Sequence, residues 1–82
     1  MSGEPQVLSI RESNEEREKL EEVVLRMLVS RLKGIEGELI QIADTLSLLG
    51  YRSSSESLAK ALKYIEEVRE YLDDYADILT LT

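Results

Sequence analysis

The chain of 82 residues contains no cysteine, histidine, tryptophan or phenylalanine. Without cysteine it can form neither a disulfide nor a thiolate metal site. Without histidine, the Glu-x-x-His di-iron site of helical bundles and histidine-dependent catalytic pairs are excluded. A glycine-rich phosphate-binding loop is missing as well. We therefore expect a protein that is not an enzyme, with no catalytic residue, metal or cofactor, although an all-carboxylate site stays open in principle.

Long apolar runs are also missing. No stretch approaches the roughly 20 apolar residues that span a bilayer. The N-terminus has no basic segment followed by an apolar stretch, as a signal peptide would have. These features predict a cytoplasmic protein that does not contact a membrane. Thirteen Glu beside one Asn and two Gln are typical of proteins from thermophiles.

Basic residues are outnumbered, because 17 acidic residues face 10 basic ones and give a formal charge of −7. A sequence-independent nucleic-acid binder needs a basic surface, so this charge argues against one. The charge favours solubility or a protein partner with a basic surface.

Helical periodicity dominates what is present. We predict a flexible N-terminal arm over residues 1–12, which contain Gly3 and Pro5, followed by a helical hairpin over 13–82. The hairpin consists of a first helix at about 14–49, a turn at 50–53 and a second helix at about 54–79. Gly50 stands where a left-handed helix C-cap is expected.

Both helices carry apolar residues at heptad spacing, which is typical of coiled coils. The predicted oligomer core consists of Leu25, Leu28, Leu32, Ile35, Leu39, Ile42, Leu46 and Leu49 in the first helix, and of Leu58, Leu62, Ile65, Val68, Leu72 and Leu79 in the second. A short connection between two such helices predicts an all-α, antiparallel two-helix hairpin. Two helices that touch along one line cannot cover this much apolar surface. We therefore expect self-association into a four-helix bundle, with a homodimer favoured.

A second stripe of apolar or small residues follows the outer side of the first helix. It consists of Leu20, Val23, Met27, Ser30, Gly34 and Gly37. Each glycine costs a helix about 1 kcal/mol relative to alanine. One hypothesis is that a helix of another subunit or partner crosses closely here, and the alternative is a local bend without further meaning.

Acidic residues cluster on the second helix, where Glu66, Glu67, Glu70, Asp73, Asp74 and Asp77 form a candidate face for a basic partner. The alternative is that they only confer solubility. Tyr64, Tyr71 and Tyr75 also belong to this helix, either as core residues or as anchors at a partner interface.

The segment "RLKGIEGELIQI" resembles the opening helix of the copper-sensing repressor family. The matching residues are Arg31, Leu32, Lys33, Ile35, Glu36, Gly37 and Ile42, with Tyr51 near a tyrosine often found in that family. The resemblance implies an all-helical dimer built as an antiparallel four-helix bundle. The family's metal ligands are cysteine and histidine, which this chain lacks, so metal sensing is not implied. Its DNA contacts depend on a basic surface, which the charge of −7 does not favour.

The segment "LGYRSSSESLAKAL", residues 49–62, is similar to the turn and second helix of ribbon-helix-helix repressors. This resemblance implies a strand at about 28–32, in the middle of the heptad pattern.

These observations favour a non-enzymatic protein-interaction module, namely a small acidic accessory, adaptor or assembly subunit that acts through a dimeric helical bundle. A metal-independent DNA-binding transcriptional regulator is the first alternative. It would be favoured if Arg31, Lys33, Arg52, Lys60 and Lys63 formed one basic face. A self-assembling structural or coat protein is the second.

Overall fold

Two helices and the short turn between them account for the described part of the chain. The computed structural model describes the backbone of residues 4–81 and the side chains of residues 14–81. Helix α1 spans Glu4–Leu48 and helix α2 spans Arg52–Leu81. They pack along each other as an antiparallel pair, in a rod about 74 Å long and 15 Å across. The all-α helical hairpin is thereby confirmed.

Helix α1 begins well before the predicted start near residue 14, and most of the predicted arm is helical. Pro5 is compatible with this start because it lies in the first turn, where a backbone N–H has no partner within the helix. The arm's first residues, 1–3, lie outside the described part. Residues 28–32, for which the ribbon-helix-helix resemblance implies a strand, lie within α1.

The turn between the helices is built around Gly50, whose φ of 93° is left-handed, as the sequence predicted. The N–H of Tyr51 donates to the carbonyl of Leu46 over 2.9 Å, and the N–H of Gly50 donates to that of Ser47 over 3.1 Å. These two bonds form a Schellman motif, which satisfies carbonyls at the end of α1. Helix α2 starts at Arg52, slightly earlier than predicted.

The packing of α1 on α2 uses one row of positions on each helix, spaced alternately by three and four residues. We call them the contact positions. On α1 they are Glu22, Leu25, Val29, Leu32, Glu36, Leu39, Ala43 and Leu46, and on α2 they are Ser55, Leu58, Leu62, Ile65, Arg69, Leu72, Ala76 and Leu79. All are buried or half-buried, and Ala76 is completely covered.

The contact row of α1 has the predicted period but is rotated about the helix axis. Leu25, Leu32, Leu39 and Leu46 lie in it as predicted. The other members of the contact row are Glu22, Val29, Glu36 and Ala43. The sequence had predicted Leu28, Ile35, Ile42 and Leu49 in their place, and these four residues are exposed. Small residues such as Ala43 and Ala76 allow two helices to approach closely, whereas the excluded row is larger. The rotation therefore leaves a row of large apolar side chains outside the hairpin.

Candidate interaction surface

One side of the hairpin carries large apolar side chains from both helices. Each lies one residue before a contact position of its own helix. In an antiparallel pair, the same offset on both helices places side chains on the same side. We define the apolar face as Val24, Leu28, Ile35 and Ile42 of α1 together with Tyr64, Val68, Tyr71, Tyr75 and Ile78 of α2. Their exposed fractions run from 38% for Leu28 to 69% for Tyr64.

The opposite side of the hairpin is charged and bridged by ion pairs. Arg26, which follows a contact position, donates from Nη2 to Oδ1 of Asp77 over 3.1 Å and from Nε to Oε1 of Glu22 over 3.3 Å. Its Nη1 lies 3.8 Å from a carboxylate oxygen of Asp73. The hydrogen bonds to Asp77 and then to Glu22 hold the pKa of Arg26 above its ordinary value. The two sides of the hairpin thus differ in chemistry.

The geometry of the charged side supports the assignment of the apolar face. Ser30 and Lys33 each follow a contact position on α1, and Asp73 follows one on α2. These side chains line one shallow depression together with Arg26. Since the residues after the contact positions share one side, the residues before them share the other.

A buried ion pair crosses the middle of the hairpin. Nε of Arg69 donates to Oε2 of Glu36 over 2.6 Å, and Glu36 is only 7% exposed. This hydrogen bond raises the pKa of Arg69 above its ordinary value. Neither residue was predicted to have this role. The available signal was that Glu36 continues the spacing of three and four residues with Leu32 and Leu39.

The predicted core residues fall into two groups. The hairpin buries or half-buries Leu25, Leu32, Leu39, Leu46, Leu58, Leu62, Ile65, Leu72 and Leu79. It leaves Leu28, Ile35, Ile42, Leu49 and Val68 exposed. All of the exposed group except Leu49 belong to the apolar face. Tyr64, Tyr71 and Tyr75 lie on this face too, outside the hairpin core.

In the second stripe of α1, Leu20, Met27 and Gly34 point away from α2, whereas Val23, Ser30 and Gly37 each follow a contact position, and all six residues are exposed. A Cβ atom added at Gly34 or Gly37 would meet nothing within 4 Å. Within the described chain, no helix crosses these glycines. The crossing by another subunit or partner stays a prediction.

The predicted acidic face is partly occupied by contacts within the chain. Asp73 and Asp77 face Arg26 of α1, and Glu66 is half-buried. Glu67, Glu70 and Asp74 are exposed. At the open end of the rod, where α2 ends beside α1, a depression is lined by Glu15, Glu18, Lys19, Glu22, Leu79 and Thr80, and Glu22 shares Arg26 with Asp73 and Asp77. This end of the rod is strongly acidic.

Among residues 4–81, neither helix has the length and hydropathy of a membrane span. The described side chains include no group of His, Cys, Asp or Glu arranged to hold a metal ion. The chain matches no protein-family model, no curated protein and no solved structure.

Proposed function

We propose that the chain is a non-enzymatic protein-interaction module, a small acidic accessory, adaptor or assembly subunit, which acts through a dimeric helical bundle. The observation that carries this proposal is the apolar face. It presents nine large apolar side chains on one side of the hairpin, each at least 38% exposed. Contiguous apolar patches of this kind mark sites of association on soluble proteins.

The pattern of the face fits helices better than a small ligand. Tyr64, Val68, Tyr71, Tyr75 and Ile78 follow each other at the same alternating spacing as the contact positions. A row with this spacing is the surface that another helix packs against in a coiled coil or bundle. Tyrosine is also favoured as an anchor at interfaces. Burial of a half-exposed side chain of this size contributes roughly 1 kcal/mol.

The arrangement of the basic residues does not favour the regulator alternative. Arg31 precedes the contact position Leu32 and Lys33 follows it, so the two side chains project to opposite sides of the hairpin. A regulator would need them on one continuous basic face to contact phosphates.

A matched pair of substitutions tests the proposal. Ile42 belongs to the apolar face and Ile40 to the opposite side, yet both are 49% exposed. Ile42→Glu should abolish the dimer at tens of micromolar, whereas Ile40→Glu should keep the wild-type mass in size-exclusion chromatography with light scattering. Equal behaviour of the two variants would contradict the proposal, because the change in charge and exposure is the same.

A further inference from the structure

We propose that the apolar face is covered by a second copy of this chain, related by a two-fold axis that crosses the rod at the level of Ile35, so that the turns of the two copies point in opposite directions. This inference rests on the proposed function, because it names the partner and the orientation for the same face.

The level of the axis follows from the contacts between the helices. Glu22 of α1 lies beside Leu79 of α2 at the open end, and Oγ of Ser55 donates to the carbonyl of Ala43 near the turn, so Ile35 lies at about the level of residues 65–66 of α2. On α1, Ile35 stands midway between Leu28 and Ile42. A two-fold axis at this level packs Ile35 against its own copy and Leu28 against Ile42 of the second copy. From Leu28 to Ile42 the apolar row of α1 is then matched. On α2, Tyr64 lies opposite Val68 of the second copy, and Tyr71 and Tyr75 lie opposite its Ala61 and Ser57.

Charged residues within the apolar row of α1 complement each other in this arrangement. Arg31 and Glu38 are exposed, precede contact positions and lie on either side of Ile35. The axis places Arg31 of one copy opposite Glu38 of the other, and symmetry repeats this pair. The one basic and the one acidic residue within the apolar row of α1 therefore each face the opposite charge on the second copy.

The outer edge of α2 shows the same symmetry. Lys60, Glu67 and Asp74 follow at intervals of seven residues and are all exposed. The axis passes near Glu67, so Lys60 of one copy lies opposite Asp74 of the other. Glu67 meets its own copy at the solvent edge, which is the unfavourable contact of this arrangement.

The alternative two-fold axis runs along the rod and places both turns at the same end. It would bring the two acidic ends together, each with Glu15, Glu22, Asp73 and Asp77. Because like charges repel, this orientation is disfavoured in a chain of charge −7. With the turns apart, each acidic end lies beside the turn of the other copy, where Arg52 and Lys60 are exposed.

The size of the face suits a weak dimer. From Val24 to Ile42, at 1.5 Å per residue and with two helices that are together roughly 20 Å wide, it covers roughly 500–550 Å² per copy. Interfaces that bury less than about 600 Å² per partner belong to weak, reversible complexes, which agrees with a dimer of micromolar affinity.

The absence of cysteine allows the orientation to be measured with a single nitroxide label. Ser53 is exposed and lies two heptads before Glu67, on the same outer edge of α2. In labelled Ser53→Cys, the second copy should place its label roughly 40–45 Å away, since the labels lie on opposite sides of the axis at 1.5 Å per residue. Turns at the same end would give less than about 25 Å, because the helices of a bundle lie only about 10 Å apart. Double electron–electron resonance distinguishes these distances.

The outcomes separate the inference from the proposed function. A long distance together with a dimer mass supports both. A short distance with a dimer mass overturns the orientation and leaves the interaction module standing. A monomer mass without dipolar coupling overturns both.

Charge reversal gives a second test without labels. Arg31→Glu and Glu38→Arg should each weaken the homodimer on the order of tenfold, since two attractive pairs become repulsive. An equimolar mixture of the two variants should restore wild-type affinity, because each copy then supplies the charge that the other needs. A mixture no tighter than its components would overturn the proposed axis.

Discussion

Glu36 of α1 and Arg69 of α2 form a 2.6 Å hydrogen-bonded ion pair in the middle of the hairpin, between residues that are 33 positions apart in the chain. The chain contains enough leucine and isoleucine to fill this contact with apolar residues instead. A buried ion pair contributes little net stability, but it is costly to break, so it selects one arrangement against others. Here the pair forms in the rotation of α1 that turns Ile35 and its row outward, and we expect it to favour that rotation.

Neutralisation of this pair should destabilise the hairpin. Glu36→Gln keeps the shape of the side chain but leaves the half-buried guanidinium of Arg69 without its counter-charge. We expect a lower melting temperature by circular dichroism. Glu16→Gln, at an exposed position on the same helix, is the control and should melt close to wild type. The double variant Glu36→Leu, Arg69→Leu should recover stability, because no charge then stays buried. If Glu36→Gln melts like Glu16→Gln, the pair has no such role.

Substitution by alanine should destabilise the hairpin at Gly50 and stabilise it at Gly34. Gly50→Ala should cost about 1–2 kcal/mol of unfolding free energy, since an L-residue is strained at its φ of 93°. Gly34→Ala should stabilise the hairpin by up to about 1 kcal/mol, because Gly34 lies inside α1 and an added Cβ meets nothing within 4 Å. Urea titration measures both. Loss of stability or of assembly in Gly34→Ala would instead indicate that another helix crosses α1 at this point.

Truncation of a leucine to alanine should lower the free energy of unfolding far more in the hairpin core than on the surface. Leu62 is 7% exposed and Leu48 is 88% exposed. We expect Leu62→Ala to lower the free energy of unfolding by about 2–3 kcal/mol, since it leaves a cavity between the helices. Leu48→Ala should change it by less than about 0.5 kcal/mol. Similar losses at the two positions would contradict the contact row described for α2.

Much of the hairpin follows from the sequence. The spacing of three and four residues predicts two helices, and Gly50 predicts the place and the geometry of the turn. Helix α1 starts earlier than the sequence predicts, because proline breaks a helix only in its interior and Pro5 lies in the first turn.

The contact row itself could not be chosen from periodicity alone. The row with Leu28 and Ile35 and the row with Val29 and Glu36 flank the same leucines at equal spacing. The row with Leu28 and Ile35 is more apolar, so hydrophobicity alone predicts that this row packs against α2. The structure instead uses the second, since Arg69 lies opposite Glu36 and pairs with it. The pairing of Glu36 with Arg69 depends on how α2 lies against α1. The spacing of residues within one helix does not contain that information.

Sedimentation equilibrium of the wild-type chain tests most directly whether the apolar face is an association surface. Across a concentration series that spans the micromolar range, we predict a reversible monomer–dimer equilibrium in which twice the chain mass predominates at micromolar concentration. A single species of monomer mass that still unfolds cooperatively at these concentrations would contradict the account, because the hairpin would then tolerate its apolar face in water.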